Sequence, residues 1–187
     1  VVDAGPLPVV CASRPCATSL VTTLGKSADD RGEGFCVLLD DGTVACWGAN
    51  GAGQLGRGED GGLVDSANAG KVVGLSGVVS LDHTCAIDGS GGVRCWGTGP
   101  LRWSDAGVTT TTETTPVTLD LPSATKIALG YRTACAVVGD DVSCWGDNTN
   151  GQIGPLTETF RGPQRLSLPS GAAVRAMDVG SATFVLR

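Results

Sequence analysis

Short apolar runs alternate with polar or small residues along this chain, and they come in pairs folded about clusters of turn-forming residues. Val37, Leu39, Val44 and Trp47 take alternating or near-alternating positions on either side of Asp40-Asp41-Gly42. A period of two over a few residues marks half-buried β-strands, and glycine with short polar side chains between them marks a hairpin. Gly89-Ser90-Gly91 and Gly139-Asp140 stand at the same point of two further pairs. Upstream of each hairpin lies another apolar run, in 72–79, 125–129 and 174–179, which predicts additional strands. Helical periodicity is weak, and Gly or Pro interrupts most windows long enough for a helix, so the chain is expected to be all-β.

Cysteines frame the hairpins. Cys36 and Cys46, Cys85 and Cys95, and Cys135 and Cys144 each bracket one turn, and each pair is followed at once by Trp-Gly. Trp47, Trp96 and Trp145 stand 49 residues apart, and a fixed period near that length predicts propeller blades or solenoid units. Facing residues in a hairpin have position numbers with a constant sum, so each cysteine faces its partner across the strands. The third loop is one residue shorter, as a two-residue turn beginning with glycine requires. Directly opposed Cα atoms lie about 4.5–5.5 Å apart, within disulfide range. Each bridge closes a loop of about a dozen residues, for which chain entropy gives roughly 2.5–3 kcal/mol. Cys11 and Cys16 pair by elimination. Structural zinc is disfavoured, because eight or nine residues separate each hairpin pair instead of the two to four of a zinc knuckle.

Composition narrows the setting. Eight cysteines in local pairs imply an oxidising compartment, so the chain is read as secreted, extracellular or periplasmic. A net charge of −6 without a basic stripe argues against nucleic acid. No run of 18 apolar residues predicts a membrane span. The 4% aromatic content and 29 glycines suit short strands and tight turns. The opening residues carry Pro6 and Pro8 and no apolar leader, and are expected to be a mature terminus or linker serving as a free arm. The expected division is an arm at 1–19 containing the Cys11-Cys16 loop, blades at about 20–70, 71–120 and 121–170, and a half blade at 171–187.

After Trp-Gly, the first repeat continues Ala49-Asn50-Gly51-Ala52-Gly53-Gln54-Leu55-Gly56 and the third Asp147-Asn148-Thr149-Asn150-Gly151-Gln152-Ile153-Gly154. With His83-Thr84-Cys85-Ala86 and its variants upstream, these units resemble the repeats of the regulator of chromosome condensation family from about residue 20 onward. The resemblance implies a β-propeller of four-stranded blades, commonly seven to a closed ring. The paired-cysteine form resembles that of bacterial extracellular proteins. Nuclear members act as exchange factors for a small GTPase and bind chromatin, roles that fit an acidic, disulfide-rich chain poorly; another resemblance is to secreted propeller inhibitors of β-lactamase. The second repeat departs from the pattern: it lacks Gly-Gln-Leu-Gly, and Trp103 stands where Gln54 and Gln152 stand in its neighbours.

Candidate chemistry is sparse. His83 is the single histidine, without a second histidine or reactive thiol to partner it, and Thr133 holds its place in the next repeat. Asp40-Asp41 and Asp140-Asp141 sit at hairpin tips, where aspartate serves turn geometry; these pairs and Asp29-Asp30 lack the spacing of a calcium loop. Gly51–Gly56 lacks the Lys-Ser/Thr of a phosphate loop. Trp47, Trp96 and Trp145, one per blade, are expected between blades, whereas Trp103 is expected to be an exposed contact residue. The Thr109–Thr115 run is expected to be a solvent-facing β-prone stretch.

The reading is therefore no enzyme, no catalytic residue, no metal and no cofactor, but a secreted scaffold of about three and a half propeller repeats, open or completed by another chain. Aligning Gly130 with Gly180 sets Cys135 against Val185 and makes Phe184, Val185 and Leu186 the first strand of a hairpin lacking its second strand. That edge and the Leu7, Val9 and Val10 arm predict self-association by strand pairing, as a ring or a filament. The alternative is a module or inhibitor that binds another extracellular protein through its blade loops.

Overall fold

The structure, a computed structural model, describes residues 11–23, 25, 33–104, 107–155, 159–180 and 182–187. Among these residues there are fourteen strands and no helix. The first blade contains β1 (Ala17–Thr22), β2 (Gly34–Leu39), β3 (Val44–Gly48) and β4 (Ser66–Lys71). The second contains β5 (Val78–Asp82), β6 (Cys85–Asp88), β7 (Val93–Ser104) and β8 (Gly107–Thr118), and the third β9 (Lys126–Leu129), β10 (Thr133–Val138), β11 (Asp141–Asp147) and β12 (Phe160–Arg165). β13 (Ala176–Val179) and β14 (Thr183–Leu186) form a two-stranded sheet. Within every sheet the strands lie in chain order and pair antiparallel.

The central pair of each blade is the hairpin marked by the cysteines. Cys36 faces Cys46, Cys85 faces Cys95 and Cys135 faces Cys144, each pair joined by a fully buried disulfide. The Cα separations are 4.1, 4.1 and 4.0 Å, closer than the ladder average because the bridge draws the strands together. Gly42 and Gly91 close the first two loops at φ +75° and +87°, and Gly139 opens the two-residue third loop at +60°, conformations that a Cβ penalises.

Trp-Gly marks a second device. At Gly48, Gly97 and Gly146 the register between the third strand and its outer neighbour slips, and all three glycines have positive φ, +102°, +69° and +105°. Here the strand bulges, and its register against the outer neighbour shifts. A Cβ on Gly48 would come within 2.7 Å of the Gly34 Cα, so the bulge also needs the missing side chain for room.

The core lies between blades. One apolar layer joins the first two blades through Leu38, Val44, Leu55, Val72, Leu81 and Trp96. A second joins the next two through Ile87, Val93, Leu101, Ile127, Leu129 and Trp145, and a third joins β10 and β11 to the two-stranded sheet through Val137, Val142, Ile153, Val174 and Val179. On β6, Ala86 faces one layer and Ile87 the other, so the inner strands of the middle blades are buried on both faces. β2 instead alternates buried and half-buried.

Several boundaries differ from the sequence reading. β1 begins at Ala17, which takes 17–19 out of the arm and into the first blade. The 72–79 run is not one strand: Val72 ends the first blade as a buried core residue, Gly74 and Gly77 turn the chain at positive φ, and β5 starts at Val78. The outer strands β4 and β12 carry little apolar alternation, since each is an edge with one partner. The Thr109–Thr115 run lies in the edge strand β8.

Candidate interaction surface

The loops after Trp-Gly are knitted by their own side chains. Asn50 Oδ1 accepts from the Leu55 N–H at 2.9 Å, and Gln54 Oε1 accepts from Ala52 at 2.7 Å. Asn148 and Gln152 repeat both bonds, to Ile153 and Asn150, at 3.0 and 2.8 Å. This places Leu55 and Ile153 inward and makes a socket for the next blade. Trp96, fully buried, donates its indole N–H to the Gln54 carbonyl at 2.8 Å.

The second blade fills the same role without the motif. β7 runs on to Ser104 and bulges at Pro100 and Leu101, where a residue with no N–H to donate is tolerated. The Pro100 carbonyl then accepts the Trp145 indole N–H at 2.7 Å, and Leu101 is buried at the position that Leu55 holds in the blade before. The long β7–β8 ribbon straps the blades together. Thr114 O accepts from the Gly58 N–H of the first blade at 2.9 Å, and at the other end β8 lies against β11 and β12.

Two tryptophans differ from expectation. Trp103 is half-buried, not exposed, because its ring leans on Trp145 with centroids 5.6 Å apart. Its remaining surface lines a cleft of about 380 Å³ with Leu101, Arg102, Thr118, Leu119 and Asp120. Trp47 is also only half-buried, stacked on Phe35 at 5.8 Å, and does not fill an inter-blade layer among the described residues. Phe184 and Leu186 are 67% and 60% exposed, while Val185 turns inward opposite Met177. No described strand pairs with the outer edge of β14. Leu7, Val9 and Val10, and Asp29-Asp30, lie outside the described residues.

The charged groups serve turns and blade junctions. Asp41 Oδ1 accepts from the Thr43 N–H and hydroxyl at 2.9 and 2.6 Å, and Asp88 does the same with Ser90 while also accepting from Gly92. These bonds hold both carboxyls below the usual carboxylate range. His83, at φ +45° in the β5–β6 turn, contacts the Thr22 carbonyl through Nδ1 at 2.8 Å, tying two blades. Among the described residues no three His, Cys, Asp or Glu side chains converge as metal ligands.

Asp82 is the electrostatic exception. It accepts the Leu129 N–H at 2.8 Å across a blade junction, and burial raises its carboxyl against the opposing pull of His83 and that hydrogen bond, with Asp178 adding repulsion. A raised carboxyl binds protons more tightly folded than unfolded. The contribution of this group to stability is therefore full below the unfolded value near 3.8 and is lost as pH rises through the folded value. Asp82→Asn keeps an acceptor for Leu129 and removes the buried charge. It is expected to raise the melting temperature at pH 7, with the gain over the parent vanishing as pH approaches 3.8; a variant that melts lower than the parent at pH 7 would refute this. Asp41 and Asp88 run oppositely, their stabilisation present above 3.8 and lost on acidification.

Successive antiparallel four-stranded sheets, stacked face to face through the buried Trp96 and Trp145, define blades of a β-propeller. The repeat model of the regulator of chromosome condensation family matches residues 33–54 and 124–152 of this chain. The human and mouse E3 ubiquitin-protein ligase HERC2 are each 29% identical over 153 residues, covering 78% of this chain and 3% of their own length. Human WBSCR16 superposes with a TM-score of 0.63 at 22% identity, covering 82% of this chain and 42% of that one. Prp20p from Saccharomyces cerevisiae, a structure reported with its binding to Gsp1p and histones, gives 0.61 at 17% identity, with 81% and 40% covered. Yeast RCC1 (Prp20) bound to Kap60 gives 0.60 at 16% identity, with 80% and 39% covered. The chain thus spans a small part of the curated relatives and about two fifths of the solved propellers.

Proposed function

We propose that this chain is a non-enzymatic interaction module of an oxidising compartment, secreted or periplasmic, that contacts other protein chains, further copies of itself included. The observation that carries the reading is the buried cross-strand disulfide at the same place in three successive blades. Glutathione-buffered compartments keep such pairs open, and rigid stapled blades suit the display of loops. Solved propellers with this fold bind proteins, Prp20p with Gsp1p, histones and Kap60 among them. Self-association is supported by Phe184 and Leu186, apolar side chains of β14 that stand 67% and 60% exposed and that a strand from another chain could cover. The Leu7, Val9 and Val10 arm is the proposed donor strand, which would give a completed ring or a head-to-tail filament.

A second reading, binding of a different extracellular protein through a blade loop, is favoured by Leu63 and Val64, 48% and 72% exposed in the loop before β4. Light scattering on size-exclusion fractions over a concentration series separates the two. Self-association predicts multimers that dissociate in Phe184→Asp and in a chain lacking residues 1–10. A monomer at every concentration would end that reading and leave loop binding.

A further inference from the structure

The geometry points to the cleft beside Trp103 as a binding site for a pyranose ring of an extracellular carbohydrate. Here the second blade departs from its neighbours, carrying an aromatic residue just after the bulge at Pro100 and Leu101. By spacing from Trp-Gly, Trp103 matches Gln54, but in the fold Pro100 takes Gln54's place against the next blade's tryptophan, and the Trp103 indole lies beyond it on β7, half-buried and turned partly into a cavity of about 380 Å³. Trp96 and Trp145 both donate their indole N–H to a backbone carbonyl. No described residue accepts from that of Trp103, which leaves a donor beside an apolar surface.

The rest of the cleft complements a sugar. Its apolar floor is Leu101 and Leu119, 3% and 4% exposed, and its rim offers the exposed Thr118 hydroxyl and the exposed Asp120 carboxylate. Arg102 is pinned by Glu113, Nε to Oε1 2.6 Å, which fixes its guanidinium at the cleft and holds it further toward the charged form. A pyranose has an apolar C–H face and a polar equatorial rim, so it uses both surfaces at once: the ring face lies on the indole, and hydroxyls pair with Asp120, Thr118 and Arg102. A purely apolar ligand would leave the charged rim unpaired. The Trp145 contact and the β7–β8 strap hold the platform rigid, so little ordering is lost on binding.

This site is separate from the protein contacts proposed above, and its test does not depend on them. Isothermal titration calorimetry and tryptophan fluorescence with cellohexaose and chitohexaose, whose rings are flat and equatorially substituted, are the probes. At least one is expected to bind with a dissociation constant of about 10–1000 µM and to shift the emission. Asp120→Asn, on an exposed side chain, is expected to weaken binding about tenfold with the melting temperature unchanged. Trp103→Phe, which retains an aromatic ring against Trp145, is expected to weaken it several-fold and abolish the emission shift. Absence of heat and emission change with both sugars at millimolar concentration overturns the proposal. So does binding that both variants leave intact, or capture of a hexaglutamate control peptide in place of the sugars.

Discussion

Trp96→Ala and Trp145→Ala are each expected to lower the unfolding free energy by roughly 3–5 kcal/mol, and Trp47→Ala by roughly half as much. Trp96 and Trp145 are fully buried at the centres of two apolar layers. Truncation there leaves a cavity between sheets that cannot collapse, because each sheet is held by its own ladder and disulfide. It also strands the Gln54 or Pro100 carbonyl, whose only side-chain donor among the described residues is the lost indole. Trp47 is half-buried against Phe35 and loses less on both counts. Urea denaturation of the three variants under oxidising conditions gives the order directly. Equal losses at all three positions would mean that Trp47 is as enclosed as the others.

The second large effect is expected at a residue with no side chain. Gly146→Ala should cost roughly 3–5 kcal/mol, against about 1 kcal/mol for Gly139→Ala. Gly146 sits at φ +105°, a conformation that alanine rarely adopts, and its Cβ would collide with the Arg132 carbonyl. That carbonyl cannot retreat freely, because it accepts the Asp147 N–H at 2.7 Å. Gly139 shares a positive φ, +60°, but its Cβ would meet nothing within 4 Å, so only the backbone preference is lost. Chemical denaturation of the pair separates strain from collision. Similar losses would show that crowding at the Trp-Gly bulge contributes little.

The hairpins were legible because their information is local. Cys85 and Cys95 are spaced symmetrically about Gly89-Ser90-Gly91, and only one register lets them face each other. The Asn-x-x-Gly-Gln element was visible as a repeat, but its purpose, to aim a backbone carbonyl at the next blade's tryptophan, was not. The second blade shows why. Pro100 supplies the same carbonyl from an unrelated sequence, since what is required is an acceptor at a point in space and not a side chain at a point in the motif. Trp103 was legible as a departure from the repeat, yet its burial depended on Trp145, 42 positions further along the chain.

The sequence alone determined the all-β class, the blade period, the central hairpins and the cysteine spacing, because alternation, turn residues and cross-strand facing act over about a dozen residues. Tertiary structure decided which faces are buried. Ala86 and Ile87 lie on opposite sides of one strand and are both inside because a blade covers each face, whereas Phe184 and Leu186 have the same apolar character and stand in solvent. It also decided the outer strands β4 and β12, whose polar sequences carry no period and which form because the hairpin beside them presents an unpaired ladder. The cleft at Trp103 belongs to the same category: its lining comes from 101–103 and 118–120, separate stretches of chain that the fold brings side by side.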